Sequence, residues 1–178
     1  MAAGRTDSFD LGRLGLTSGE GRRFDLEVGL DALDFAGEKY APVPPTVPVR
    51  LDISRMTGSG YALRLRFAAS VDGPCMRCLE PAHPVFAVDS REVDQPGGGE
   101  ELSSPYVRDE MLDLHAWAHD ALALALPPQV VCREECAGLC PVCGANLNES
   151  APGHAHERPP DPRWAKLAEL RLADPRRD

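Results

Sequence analysis

The chain has 178 residues, enough for one domain of ordinary size with a small module or tails, and too few for two large domains. With 28 acidic against 19 basic residues its net charge is −9, so the average surface repels polyanions and any nucleic-acid contact has to come from a local basic patch. The composition is globular at 43% hydrophobic, but 17 prolines, 16 glycines and 6% aromatics predict much loop and a thin core in need of extra staples.

The opening "MAAGRTDSFDLGRLGLTSGEG" has no seven-residue apolar run or small-residue cleavage site, and no segment is long and apolar enough to span a membrane. The expected location is the cytoplasm. Residues 1–23, rich in Gly, Ser and charge, read as a flexible lead-in. Residues 24–172 read as a single α+β domain, and 173–178 as a tail.

Period-two alternation begins at "FDLEVGLDAL", with Phe24, Leu26 and Val28 on one side. In "TVPVRLDISRM", Val47, Val49, Leu51 and Ile53 alternate with Pro48, Arg50, Asp52 and Ser54; Pro48 suggests an edge strand. After the "GSG" turn, "YALRLRFAASVDG" places Tyr61, Leu63, Leu65, Phe67, Ala69 and Val71 inward, which predicts a hairpin. "AHPVFAVDSREVD" is a further strand, and residues 96–104 form an exposed Gly-rich acidic loop. The fold class expected is α+β, with an antiparallel, barrel-like sheet.

The period then changes. In "DEMLDLHAWAHDALALALPP", Leu114, Trp117, Ala118, Ala121, Leu122 and Ala125 share one helical face, Asp113 is a credible N-cap, and Pro127 and Pro128 stop the helix. "DPRWAKLAELRLADP" has the spacing of a short closing helix.

The chemistry-bearing residues are the cysteines. "CPVCG", Cys140 to Gly144, lets two thiolates converge on one metal from a tight turn, and the Gly accepts the positive φ the turn requires. "CMRC", Cys75 to Cys78, has the same spacing but is followed by Leu79. Cys132, Cys136, His154 and His156 bring the candidate ligands to eight, enough for two closed four-ligand zinc sites. One grouping joins Cys75 and Cys78 to Cys132 and Cys136, and Cys140 and Cys143 to His154 and His156. The other joins Cys75 and Cys78 to Cys140 and Cys143 as a ribbon.

A disulfide framework is disfavoured by the reducing compartment, and a redox CxxC by the lack of a βαβ setting. His83, His115 and His119 read as surface residues. Arg50, Arg64 and Arg66 share an exposed sheet face, and Arg163, Lys166, Arg171, Arg176 and Arg177 make the C-terminal end basic. Such faces are commonly just solvated. No nucleophile elbow or phosphate-cradling loop is present, so an enzyme is not expected.

Four stretches in order, "CMRCLEP", "LDLHAWAHDALALALPPQVVC", "CAGLCPVCGANLNE" and "DPRWAKLAEL", resemble the YceD family, the large ribosomal RNA subunit accumulation proteins of bacteria and plastids. The resemblance implies a non-enzymatic factor in large-subunit biogenesis, supporting 23S ribosomal RNA accumulation or processing through precursor ribosomal RNA or a ribosomal protein. Neither membrane nor small-molecule substrate is expected. The competing expectation is a zinc-dependent nuclease or thiol redox protein. Relatives often carry a CxC pair where His154 and His156 stand, and some lack the CPxCG knuckle, which favours the first grouping.

Overall fold

The computed structural model describes residues 5–151, 153–156 and 163. Among these residues ten strands and one α-helix follow in order: β1 (Ser8–Asp10), β2 (Gly21–Gly29), β3 (Leu33–Phe35), β4 (Glu38–Val43), β5 (Thr46–Arg55), β6 (Tyr61–Pro74), β7 (Pro81–Ala82), β8 (Val85–Asp94), β9 (Val107–Arg108), β10 (Met111–Asp113) and α1 (Leu114–Ala125). All pairs of named strands are antiparallel.

β6 organises the main sheet. It pairs along one edge with β8, and along the other first with β5, Ile53 opposite Leu63 and Leu51 opposite Leu65, then with β4 from Ser70 onward. Alternation in β5 and β6 follows from this placement, since one face meets the core and the other meets water. Val47, Val49, Leu51 and Ile53 are buried on β5, and Tyr61, Leu63, Leu65, Phe67, Ala69 and Val71 on β6. β5 lies between β2 and β6 rather than at an edge. Pro48 is tolerated there because pairing with β6 begins only at Val49, so no rung on that side calls on its missing N–H.

The sheet is not a closed barrel. Among the described residues no rung joins β2 to β8; α1 packs against both instead, covering the apolar face that closure would have sealed. Asp113 caps the helix, its side chain accepting from Ala116 N at 2.9 Å, and Leu114, Trp117, Ala118, Ala121 and Leu122 are its buried face. Among the described residues Trp117 is the largest fully buried side chain. Its Nε1 donates to Ser90 Oγ on β8 at 2.9 Å, and its ring stacks on Tyr106 with centroids 6.3 Å apart.

Composition marked residues before Phe24 as loose, but the structure differs from Ser8 onward. β1 pairs with β10, Phe9 opposite Leu112, and Leu11 is fully buried in the core. The second strand starts at Gly21. The Gly-rich segment 96–103 is exposed, ending at buried Ser104. The closing helix expected over "DPRWAKLAEL" lies outside the described residues apart from Arg163. Among the described residues no helix is long and apolar enough to cross a membrane.

Trp117→Ala should lower unfolding free energy by about 3–5 kcal/mol, and Ser90→Ala by about 1 kcal/mol, measured by urea unfolding. Equal, small effects would mean that the helix does not seal the sheet.

Candidate metal centre

β6 ends at Pro74, and the next residues form the first knuckle. Cys75 N donates to Glu80 O at 2.8 Å and Leu79 N to Cys75 O at 2.9 Å. The second knuckle repeats the construction: Cys140 N donates to Ala145 O at 2.8 Å and Gly144 N to Cys140 O at 2.9 Å. Gly144 has φ 73° and Leu79 has φ 63°. The missing glycine thus does not make "CMRC" a different turn; Leu79 adopts the left-handed conformation, with its side chain 67% exposed.

The segment after α1 is tied onto this knuckle. Met76 N donates to Val130 O at 2.9 Å and Leu139 N to Arg77 O at 3.0 Å. The Arg77 guanidinium donates to Gln129 Oε1 at 3.2 Å and to the carbonyls of Glu134 and Cys136 at 3.3 and 3.2 Å. Close approach requires Gly138: a Cβ there would sit 3.0 Å from Arg77 O, and its φ is 76°.

These contacts bring Cys75, Cys78, Cys132 and Cys136 together. Cys75 Sγ lies 3.8 Å from Cys136 Sγ, and Cys78 Sγ 3.8 Å from Cys132 Sγ. Cys75, Cys78 and Cys136 are buried with Ala82 in a small core of their own, while Cys132 is exposed. All six cysteines are free thiols.

Cys140 and Cys143 face His154 and His156. Cys143 Sγ is 3.5 Å from His154 Nε2 and 3.2 Å from His156 Nε2, and the two Nε2 atoms are 3.0 Å apart. Within each set the ligand atoms lie within 4.8 Å of one another, so either could hold a metal ion. The structure therefore assembles the first of the two groupings that the spacing allowed. This second set is the more open, with only Cys140 buried.

Backbone donors aimed at sulfur set the thiol chemistry. Burial pushes Cys75 up, but the N–H groups of Cys78, Arg77 and Cys132 outweigh it and hold the pKa at about 6. Cys140 is likewise lowered to about 6 by the N–H groups of Cys143 and Val142. Burial raises Cys78 to about 12, whereas the Asn148 amide holds Cys136 below the usual thiol range. These backbone N–H groups thus favour the thiolate at the leading cysteine of each knuckle, the form that binds metal.

The remaining expectations resolve simply. His83 pairs with Asp72 at 2.7 Å, His115 with Asp31 at 3.3 Å, and His119 with Asp120 at 3.2 Å, all outside both sets. On the outer sheet face Arg50 pairs with Asp25 at 3.1 Å, Arg64 with Asp89 at 2.7 Å, and Arg66 and Arg23 share Asp52 at 2.6 Å each. The Arg23 guanidinium, then Arg66, holds the Asp52 carboxyl below the usual carboxylate range. The face is an interleaved ladder of both signs. Lys166, Arg171, Arg176 and Arg177 lie outside the described residues. Arg77 and Asn148, which position the cysteines, had only the bland signals of a lone Arg between cysteines and an Asn in a turn.

Leu79→Gly should stabilise the chain by about 1 kcal/mol, because it relieves a left-handed side chain without removing buried surface, and Gly144→Ala should cost about as much. Thermal unfolding of the metal-loaded protein checks both; a destabilised Leu79→Gly would show that the side chain does more than occupy the turn.

The family model described as large ribosomal RNA subunit accumulation protein YceD matches residues 63–171. An uncharacterised protein of Mycobacterium tuberculosis is 34% identical over 170 residues, covering 90% of this chain and 79% of the relative. One from Mycobacterium leprae is 31% identical over 159 residues, covering 84% and 71%. The chloroplastic large ribosomal RNA subunit accumulation protein YCED homolog 1 of Zea mays is 26% identical over 187 residues, covering 84% and 61%. No solved structure matches. The matched span runs from near the start of β6 through both ligand sets, and the chain belongs to the YceD family.

Proposed function

We propose that the chain is a non-enzymatic, zinc-stapled cytoplasmic factor in large ribosomal subunit biogenesis, supporting accumulation or processing of 23S ribosomal RNA. The observation that carries this reading is the geometry of the four-cysteine set. Zinc–thiolate bonds of about 2.3 Å in a tetrahedron give sulfur–sulfur edges of about 3.8 Å, and the Cys75–Cys136 and Cys78–Cys132 sulfur–sulfur distances are each 3.8 Å. The second set has the sulfur and imidazole donors that zinc also accepts. Zinc bound at each set supplies a structural cross-link, and because four protein ligands fill a tetrahedron, no position is left for substrate.

The family description, together with the name of the maize relative, supports the ribosomal role. The paired outer arginines and the −9 net charge favour a basic large-subunit ribosomal protein as first contact, with precursor ribosomal RNA reached through it. The zinc-stapled region then acts as a rigid docking body.

The test is depletion in the native host, followed by gradient sedimentation and quantification of large- against small-subunit ribosomal RNA. The expected result is a selective deficit of 23S-type RNA, rescued by the wild type but not by Cys75→Ser/Cys78→Ser, and a nuclease-resistant association with a ribosomal protein. An unchanged ribosomal RNA ratio on depletion would overturn the function. Association abolished by nuclease would move the first contact to RNA.

A further inference from the structure

The two ligand sets are joined by a small hairpin. Beyond Cys136 the chain pairs with the segment following the second knuckle: Leu147 N donates to Gly138 O at 2.9 Å, Leu139 bridges Asn146, and Cys140 N donates to Ala145 O at 2.8 Å. Cys140 and Cys143 form the tip, clasped by His154 and His156. Asn148 stands at the base, against the first set.

The orientation of the Asn148 amide is determined by its neighbours. Its Oδ1 accepts from Ala137 N at 2.8 Å, which leaves Nδ2 to donate to Asn146 Oδ1 at 2.8 Å and to Cys136 Sγ at 3.5 Å. Asn146 Oδ1 also accepts from Asn148 N at 3.0 Å, so it needs a donor opposite it. The amide thus joins the backbone N–H of Arg77, which donates to Cys75 Sγ at 3.4 Å, in solvating the sulfurs.

That donor matters more at the first set than at the second. Four thiolates around a dication carry excess negative charge in a buried place, whereas two thiolates and two neutral imidazoles balance it. N–H groups directed at sulfur offset this excess, as partners behind metal ligands commonly do.

We propose that Asn148 couples the two metal sites: an ion held by Cys140, Cys143, His154 and His156 closes the hairpin tip, and the closed hairpin holds the Asn148 amide on Cys136, strengthening metal binding at the four-cysteine site. Coupling of this kind is reciprocal, so each ion favours retention of the other. The inference rests on the metal-binding reading of both sets and adds an order to their release. The exposed site empties first, and the buried one is then weakened.

The experiment is a cobalt(II) titration of the full chain, in which tetrathiolate and mixed sulfur–nitrogen sites give separate d–d absorption bands. Asn148→Ala should weaken the four-cysteine site by about 10- to 100-fold while both bands still reach full amplitude at saturating metal. Asn148→Asp, which keeps the acceptor for Ala137 but removes the donor to sulfur, should weaken it at least as much. His154→Ala/His156→Ala should produce a comparable loss at the four-cysteine site, and adding Asn148→Ala to it should bring little more, because both changes break one link. Four-cysteine affinity within about two-fold of wild type in Asn148→Ala, or losses that multiply in the combined variant, would overturn the coupling. A wild type showing only one band would instead overturn the two-site reading itself.

Discussion

Four cysteines from two distant parts of the chain share one point in space, and the rest of the C-terminal half is arranged around that fact. Cys78 and Cys132 are separated by 54 positions, Cys75 and Cys136 by 61. Closing a loop of that length removes conformational entropy worth on the order of 4 kcal/mol from the unfolded chain, by analogy with a covalent cross-link. The loop so closed contains β7, β8, β9, β10 and α1. A metal held at this point would fasten the end of the central strand to the segment leaving the helix that covers the sheet, and would tie stability of the open sheet to metal binding.

The second ligand set depends on the first. Its knuckle sits at the tip of a hairpin whose base lies on Arg77 and Cys136, so the position of the exposed set is inherited from the buried one. The polar contacts that do this are modest individually, a guanidinium bridging three acceptors and an amide bridging Ala137 and Cys136. Together they replace the apolar packing that a region made of Pro, Gly and Cys cannot supply. On the mixed-charge sheet face the Arg50–Asp25 and Arg64–Asp89 pairs contribute little by comparison, because both are substantially exposed to solvent.

Sequence made some of this legible for definite physical reasons. β5 and β6 could be read because one face of each is buried and the other wet, so the pleat writes itself as alternation. α1 could be read because Asp113, the apolar stripe and the paired prolines agree. β1 could not, since Phe9 and Leu11 find their partners about Leu112 and Glu110, a hundred residues on, and nothing local marks them. The expected barrel failed for a related reason: alternation reports that a face is covered, not whether a strand or a helix covers it. The candidate ligands were legible from spacing, but spacing alone left the grouping open, because "CMRC" and "CPVC" are equivalent to any metal, and it was the family resemblance that favoured the grouping the structure brings together. Only the backbone ties through Met76, Arg77 and Gly138 decide which partner each knuckle meets.

The central claim is that two separate four-ligand zinc sites exist, one of them closing the domain. Metal content per chain, measured at saturating zinc on wild type, Cys75→Ser and Cys140→Ser, tests it most directly. The account predicts two ions in the wild type, one per ligand set, with Cys140→Ser losing only the exposed one and keeping its fold by circular dichroism. A single ion in the wild type, lost in both variants, would contradict it.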